Sequence, residues 1–302
     1  MRTLEEGFAK FKSRLELKPK ERQNAIDRHN EIREHLRSKF TIENDFLTGS
    51  YARWTKTKPL KDVDIFCPLG TAHSHYRDEH PDNVLKAFEE ALAEKYGSAN
   101  VERQRRSCTV RFGVTPDSED KTDYKVISVD IVPAFKKGED YEIPDSIEGK
   151  WIETNPKTHA DKAVAAQRAY NDQWKAMVRM IKYWNNNRAR VTGQDKPIKP
   201  SFLLEVMCLD CLSGGFGGRW DYEFESLFAT LATRIDQEWA DPAGLGPPVS
   251  DMMDDSKKQA AKAALLEAKR AARAAINLAA QGKNYEAQLA WRELFGPLFP
   301  HP

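Results

Sequence analysis

The chain has 302 residues, with 47 lysines and arginines against 46 aspartates and glutamates, a formal net charge of +1. That length allows one large or two moderate domains with an adequate core, and the near-neutral balance excludes a global field for gripping long nucleic acid. No run approaches the eighteen or so apolar residues of a membrane helix, and the opening MRTLEEGFAKFKSR is charged throughout, which predicts a soluble, cytoplasmic protein.

Along the chain, Ile26, His29, Ile32, Leu36 and Phe40 recur at three- and four-residue steps, predicting a long framework helix over 20–40. Gly49-Ser50 follow, at what reads as the start of a short helix, where glycine lets the backbone approach a phosphate and serine adds a hydroxyl and an N–H. The string PLKDVDIF predicts a strand carrying Asp62 and Asp64. Asp82-Asn83 are placed to cap a helix over 84–96, with Val84, Leu85, Phe88, Leu92 and Tyr96 inward and Gly97 ending it. Alternation of Val110, Phe112 and Val114 predicts a strand over 107–115, PDSEDKTD a hairpin loop, and VISVDIVP a strand over 124–132 carrying Asp130.

From about 156 the pattern turns helical. Tyr170, Trp174, Met177, Val178, Ile181 and Trp184 predict one face of a long helix running into NNNRARVTGQDK. SFLLEVMCLDCL predicts another helix, GGFGGRW a turn, PAGLGPP a loop, and the Ala/Lys/Arg-rich 255–281 a last helix stopping at Gly282. The four cysteines suit a reducing compartment, and Cys208 and Cys211, without a second ligand pair, read as core. The expected architecture is α+β: a small mixed sheet carrying the acids, packed against a helical lobe, with the cleft between them.

The three acids carry the functional reading. Residues two apart on a strand face the same way, so Asp62 and Asp64 are predicted to sit side by side, and Asp130 on a second strand completes a hard-oxygen site suited to two Mg²⁺ ions, with Mn²⁺ as a substitute. Charges inside otherwise apolar strands are costly and are seldom kept without a task. Such a site clamps a triphosphate, and Asp130 is placed to take the attacking hydroxyl's proton.

With these motifs in view, GSYARWTKTKPLKDVDIFCPL and VDIVPAF resemble the polymerase beta-like nucleotidyltransferase superfamily, and within it the bacterial CD-NTases, the cGAS/DncV-like enzymes of CBASS antiphage defence. MVRMIKYWNNN followed by KPIKPSFLLEVM resembles the family's helical-lobe pair in which a lysine and a serine hold the donor triphosphate, which assigns Lys182 and Ser201 to nucleotide binding beside Gly49 and Ser50. AWRELFGPLFP is similar to the ending of subgroups that often make cyclic trinucleotides.

The resemblance implies a catalytic core with its N-terminal helix over 1–155 and a helical lobe over 156–302, with Asp62, Asp64 and Asp130 as catalytic and metal-binding residues. It also implies synthesis of a cyclic oligonucleotide second messenger, adenine-rich and trimeric, from ATP and other NTPs. No Cys/His cluster of the kind that engages DNA in cGAS is present, so neither long nucleic acid nor a membrane is expected as partner; a HORMA-type regulatory protein is the implied one. The alternatives are a linear oligoadenylate or RNA-tailing transferase, a cyclic dinucleotide synthase, or a non-catalytic nucleotide-binding scaffold. Arg53 and Thr55 read equally as donor contacts or as surface residues, and His159 as packing at a helix N-terminus.

Overall fold

A computed structural model describes residues 3–58, 60, 63–113 and 126–302. Asp62, Val114, the whole of the expected loop PDSEDKTD and the first two residues of the strand expected over 124–132 fall outside those residues. Alternation of side chains builds the sheet. Strands β1 (Phe46–Thr48), β2 (Val63–Pro68), β3 (Val101–Arg103), β4 (Cys108–Arg111) and β5 (Ser128–Lys137) lie in the order β1-β2-β5-β4-β3. The β2–β5 pair is parallel and the others antiparallel, and β6 (Asp140–Asp145) and β7 (Lys150–Thr154) extend from β5 as an antiparallel hairpin.

Helix α2 (Pro19–Arg37) and helix α4 (Asp82–Tyr96) supply the apolar cover of this sheet. Ile32 and Leu36 of the former and Val84, Leu85, Phe88 and Leu92 of the latter share one core with Val63, Ile65, Val129 and Ile131. Each such side chain contributes roughly 1.5–3 kcal/mol of burial. The α2 stripe differs from expectation at two positions: Ala25, not Ile26, faces inward, leaving Ile26 41% exposed, and the helix ends at Arg37 so that Phe40 reaches the core from the following turn. Pro81, not Asp82, occupies the cap position of α4, while Gly97 closes it at φ +81° as anticipated.

The second core is helical. It gathers α1 (Leu4–Leu15), α5 (Pro156–Ala169), α6 (Trp174–Thr192), α7 (Ser201–Cys211), α8 (Trp220–Arg234), α9 (Asp255–Ala280) and α10 (Asn284–Phe295). Phe8, Phe11 and Leu15 of α1 lie in it beside Trp184, Phe224, Trp291 and Phe295, so the chain begins in this lobe before entering the sheet. Trp184 meets Phe228 edge-on at 5.1 Å, a geometry that adds to area burial. Cys208 is buried here.

The single long helix expected through Tyr170 is two helices. Asn171 and Asp172, at φ +51° and +58°, turn the chain left-handed between α5 and α6, as these residue types tolerate. Among the described residues, no helix is long and apolar enough to cross a membrane.

Candidate active site

The parallel pairing of β2 with β5 puts Asp64 directly opposite Asp130. Their strand neighbours Val63, Ile65, Val129 and Ile131 are fully buried in the core, so alternation turns both carboxylates to the other face, where they line a cleft. Neighbouring strands run roughly 4.8 Å apart, close enough for two carboxylates to share a cation. Thr109 of β4 lies opposite Asp130, and its hydroxyl donates to Asp130 Oδ1 at 2.5 Å, fixing the carboxylate's rotation.

On the other side of Asp64, β1 pairs through Thr48 and passes into α3 (Gly49–Ala52). Gly49 adopts φ +63°, and a β-carbon there would overlap Asp64 Oδ2 and Cγ. The position admits only hydrogen, for both backbone and steric reasons. Gly49 and Ser50 therefore lie against one of the two acids, in the wall of the same cleft.

The cleft measures about 890 Å³ and lies between the sheet and the helical lobe. Lys182 of α6 and Ser201 at the start of α7 line it, as do Lys56, Lys196 and Lys199. Thus Gly49, Ser50, Asp64, Asp130, Lys182 and Ser201 come together around one space, while Asp62 falls outside the described residues.

Lys182 has a second engagement. Its ammonium bonds to Glu205 of α7, which also accepts from Arg53 Nε at 2.9 Å, Arg53 Nη2 at 3.1 Å and the Thr55 hydroxyl at 2.8 Å. All four side chains are buried. Burial pushes the Glu205 carboxyl up, but Arg53 and Lys182 outweigh that and hold it well below the usual carboxylate range. Burial also draws the Lys182 ammonium down, against the pull of Glu205. Arg53 and Thr55 are therefore interior residues tying the phosphate-loop segment to the helical lobe.

Sequence reasoning missed Thr109 and Glu205. A lone glutamate inside the apolar run SFLLEVM was a signal for a buried ion pair; Thr109 carried none, because its value lies in the strand register. His159, in the first turn of α5, bonds to Asp241 Oδ1 at 2.9 Å and packs on Phe202 with ring centroids 5.0 Å apart.

The donor set fits divalent cations. Two carboxylates in register, with glycine backbone close against one, offer hard oxygens and room for a phosphate. Among the described residues no group of three or more His, Cys, Asp and Glu side chains gathers elsewhere as an alternative metal site.

Paired acids on neighbouring strands, a glycine-serine turn against one of them and a cleft closed by a helical lobe define a nucleotidyltransferase. The sequence profile of the Second Messenger Oligonucleotide or Dinucleotide Synthetase domain matches residues 1–166, and the chain belongs to that family, the bacterial CD-NTases. It is 25% identical over 288 residues to a Bacillus cereus protein named "Probable cyclic nucleotide synthase", covering 83% of this chain and 81% of that one. It is 28% identical over 232 residues to a cyclic AMP-AMP-AMP synthase of Acinetobacter sp., covering 72% of this chain and 60% of the relative. In fold it is similar to E. coli CdnC in complex with a HORMA protein, at TM-score 0.70, 20% identity and 98% coverage of both chains.

Proposed function

We propose that the protein joins ATP, alone or with a second NTP, into a cyclic oligonucleotide second messenger, adenine-rich and trimeric, releasing pyrophosphate at each step. The observation that carries this reading is the register of Asp64 against Asp130 beside Gly49. The Acinetobacter relative named a cyclic AMP-AMP-AMP synthase supports the trimeric product. A cyclic dinucleotide or a linear oligoadenylate would use the same acids.

Asp62, Asp64 and Asp130 would hold two Mg²⁺ ions, or Mn²⁺, which would supply charge neutralisation on the phosphates and a lowered pKa for the attacking hydroxyl. The chain's own residues orient the substrates. Gly49 and Ser50 present backbone N–H groups to the donor phosphates, and Ser201 offers a hydroxyl from the opposite wall. Lys182, steadied by Glu205, adds positive charge toward the triphosphate. Asp130, its rotation held by Thr109, takes the proton from the attacking hydroxyl.

We place the catalytic unit in residues 1–155 and the nucleotide-covering lobe in 156–302, with α1 reaching back into the latter. The role we propose is cytoplasmic, in CBASS antiphage defence under a HORMA-type regulator; the fold likeness to CdnC in its HORMA complex supports the partner.

The test is incubation with each NTP and with all four, with Mg²⁺ or Mn²⁺, then mass spectrometry after phosphatase treatment. A phosphatase-resistant adenine-containing ring is expected. Phosphatase-sensitive ladders would establish the linear polymerase instead, and no product under any condition, including with a HORMA partner added, would defeat both.

A further inference from the structure

A second pocket lies behind the phosphate-loop segment and shares no lining residue with the cleft. It measures about 280 Å³, and its walls carry three cations, Lys12, Lys175 and Arg179, with Trp54 and the carboxylates of Glu16 and Asp172. That is room for a phosphate group with a small organic body.

Arg179 is its centre. The side chain is only 10% exposed, and the guanidinium donates to the Trp54 carbonyl at 2.8 Å and to Glu16 Oε1 at 3.2 Å, while its buried Nε makes no hydrogen bond. Glu16, half exposed, is the one carboxylate among the described residues bonded to Arg179, and burial pulls the guanidinium down from its ordinary range. Four residues away on α6, no ion pair or hydrogen bond among the described residues holds the Lys175 ammonium; burial first, then the Arg179 charge, pulls it down, against the pull of Asp172. Two cations on adjacent turns of one helix repel, and Glu16 and Asp172 offset the three pocket cations only in part, so an anion between Lys175 and Arg179 would stabilise the site.

Trp54 also lines the pocket. It is a bulky residue at φ +62°, a strained conformation, and it is 47% exposed. The Arg22 guanidinium stacks 4.2 Å from the ring centroid. The next residue, Thr55, donates its N–H to the Ser50 carbonyl at 3.0 Å. A ligand that draws on Arg179 therefore acts on a bond one residue from the phosphate loop.

We infer that this pocket is a binding site for a small phosphate-bearing anion, its phosphate seated on Lys175 and Arg179 and any planar group set against Trp54. The site is separate from the catalytic reading of the cleft.

The test is calorimetric titration of the full chain, without divalent cations, with inorganic phosphate, AMP and adenosine, together with tryptophan fluorescence. Phosphate or AMP is expected to bind saturably, at least tenfold more weakly in Lys175→Glu, with a fluorescence change that Trp54→Phe abolishes. AMP binding tighter than phosphate assigns a nucleotide as ligand; equal binding assigns the free anion. Wild-type and Lys175→Glu protein binding alike, or adenosine binding as well as AMP, would overturn the inference. Should Lys175→Glu fail to fold, Lys175→Gln removes the charge alone and must show the same weakening. No synthesis enters the readout, so the result stands whether or not the cleft makes a cyclic product.

Discussion

Gly49 and Asp64 are built against each other: the glycine's left-handed backbone, at φ +63°, comes so near the carboxylate that no β-carbon fits. In the proposed reading, the backbone that takes the donor phosphates is thereby held directly beside a carboxylate that takes a cation. Gly49→Ala is expected to abolish product formation, by about a hundredfold or more, because the methyl must displace Asp64 and the backbone must leave its well. Circular dichroism and product yield together check this. An active, folded Gly49→Ala protein would contradict the proposed geometry.

Asp64→Asn and Asp130→Asn each remove an anionic oxygen from the pair. Each is expected to cost about a thousandfold or more in rate, while raising or leaving unchanged the melting temperature in metal-free buffer, since two carboxylates in register repel. Melting curves with and without Mn²⁺ check the second half: wild type should be stabilised by the metal and the variants much less so.

Thr109→Val keeps the shape and removes the hydroxyl that donates to Asp130. A loss of about tenfold in rate is expected, with the pH–rate profile displaced upward, because the carboxylate loses a hydrogen bond to its ionised form. Thr109→Ser should restore both. A rate loss with an unmoved pH profile would assign Thr109 a packing role.

Glu205→Ala leaves Arg53 and Lys182 buried without their shared anion. Breaking a buried pair on one side costs about 3–5 kcal/mol, so the melting temperature should fall by many degrees. Glu205→Gln, which keeps the acceptor oxygen, should lose less. Urea denaturation of the three proteins gives the comparison.

Asp145 is a second buried carboxylate, accepting from Arg105 Nε at 2.8 Å and Arg106 Nη2 at 2.8 Å. Burial pushes its carboxyl up, but these arginine bonds and the Glu148 backbone N–H outweigh that and hold it at about 2, against the ordinary 3.8. A folded-state value below the unfolded one means the stabilisation is full above about pH 4 and is lost as pH falls toward 2. The shift corresponds to at most about 2.5 kcal/mol, less with partly solvated arginines. Asp145→Asn should flatten the acid limb of the stability–pH curve over that window, measured by denaturant titration at each pH.

Much of the fold was legible. Helices such as 255–281 and 84–96 declared themselves because apolar residues at helical spacing have no other way to bury together, and glycines 97 and 282 mark their ends. The hairpin over 140–154 and helices α8 and α10 went unread. In β6 Pro144 interrupts the strand pattern, and in α8 acidic residues such as Asp221 and Glu225 lie buried among the apolar ones, blurring the stripe. The break at Asn171-Asp172 was hidden because the apolar face resumes in phase after it.

From its residues alone, the chain determined that charged side chains stand in apolar strands, that a glycine-serine pair precedes them, and that a helical half follows a mixed one; these are properties of local spacing. The convergence of Asp64 and Asp130 was expected, and the tertiary structure set its register; only that structure decided that Thr109 grips the latter and that Arg53 and Lys182 converge on Glu205. Strand register and lobe docking join residues between 21 and 152 positions apart, and no local pattern encodes which distant partner will satisfy a buried charge.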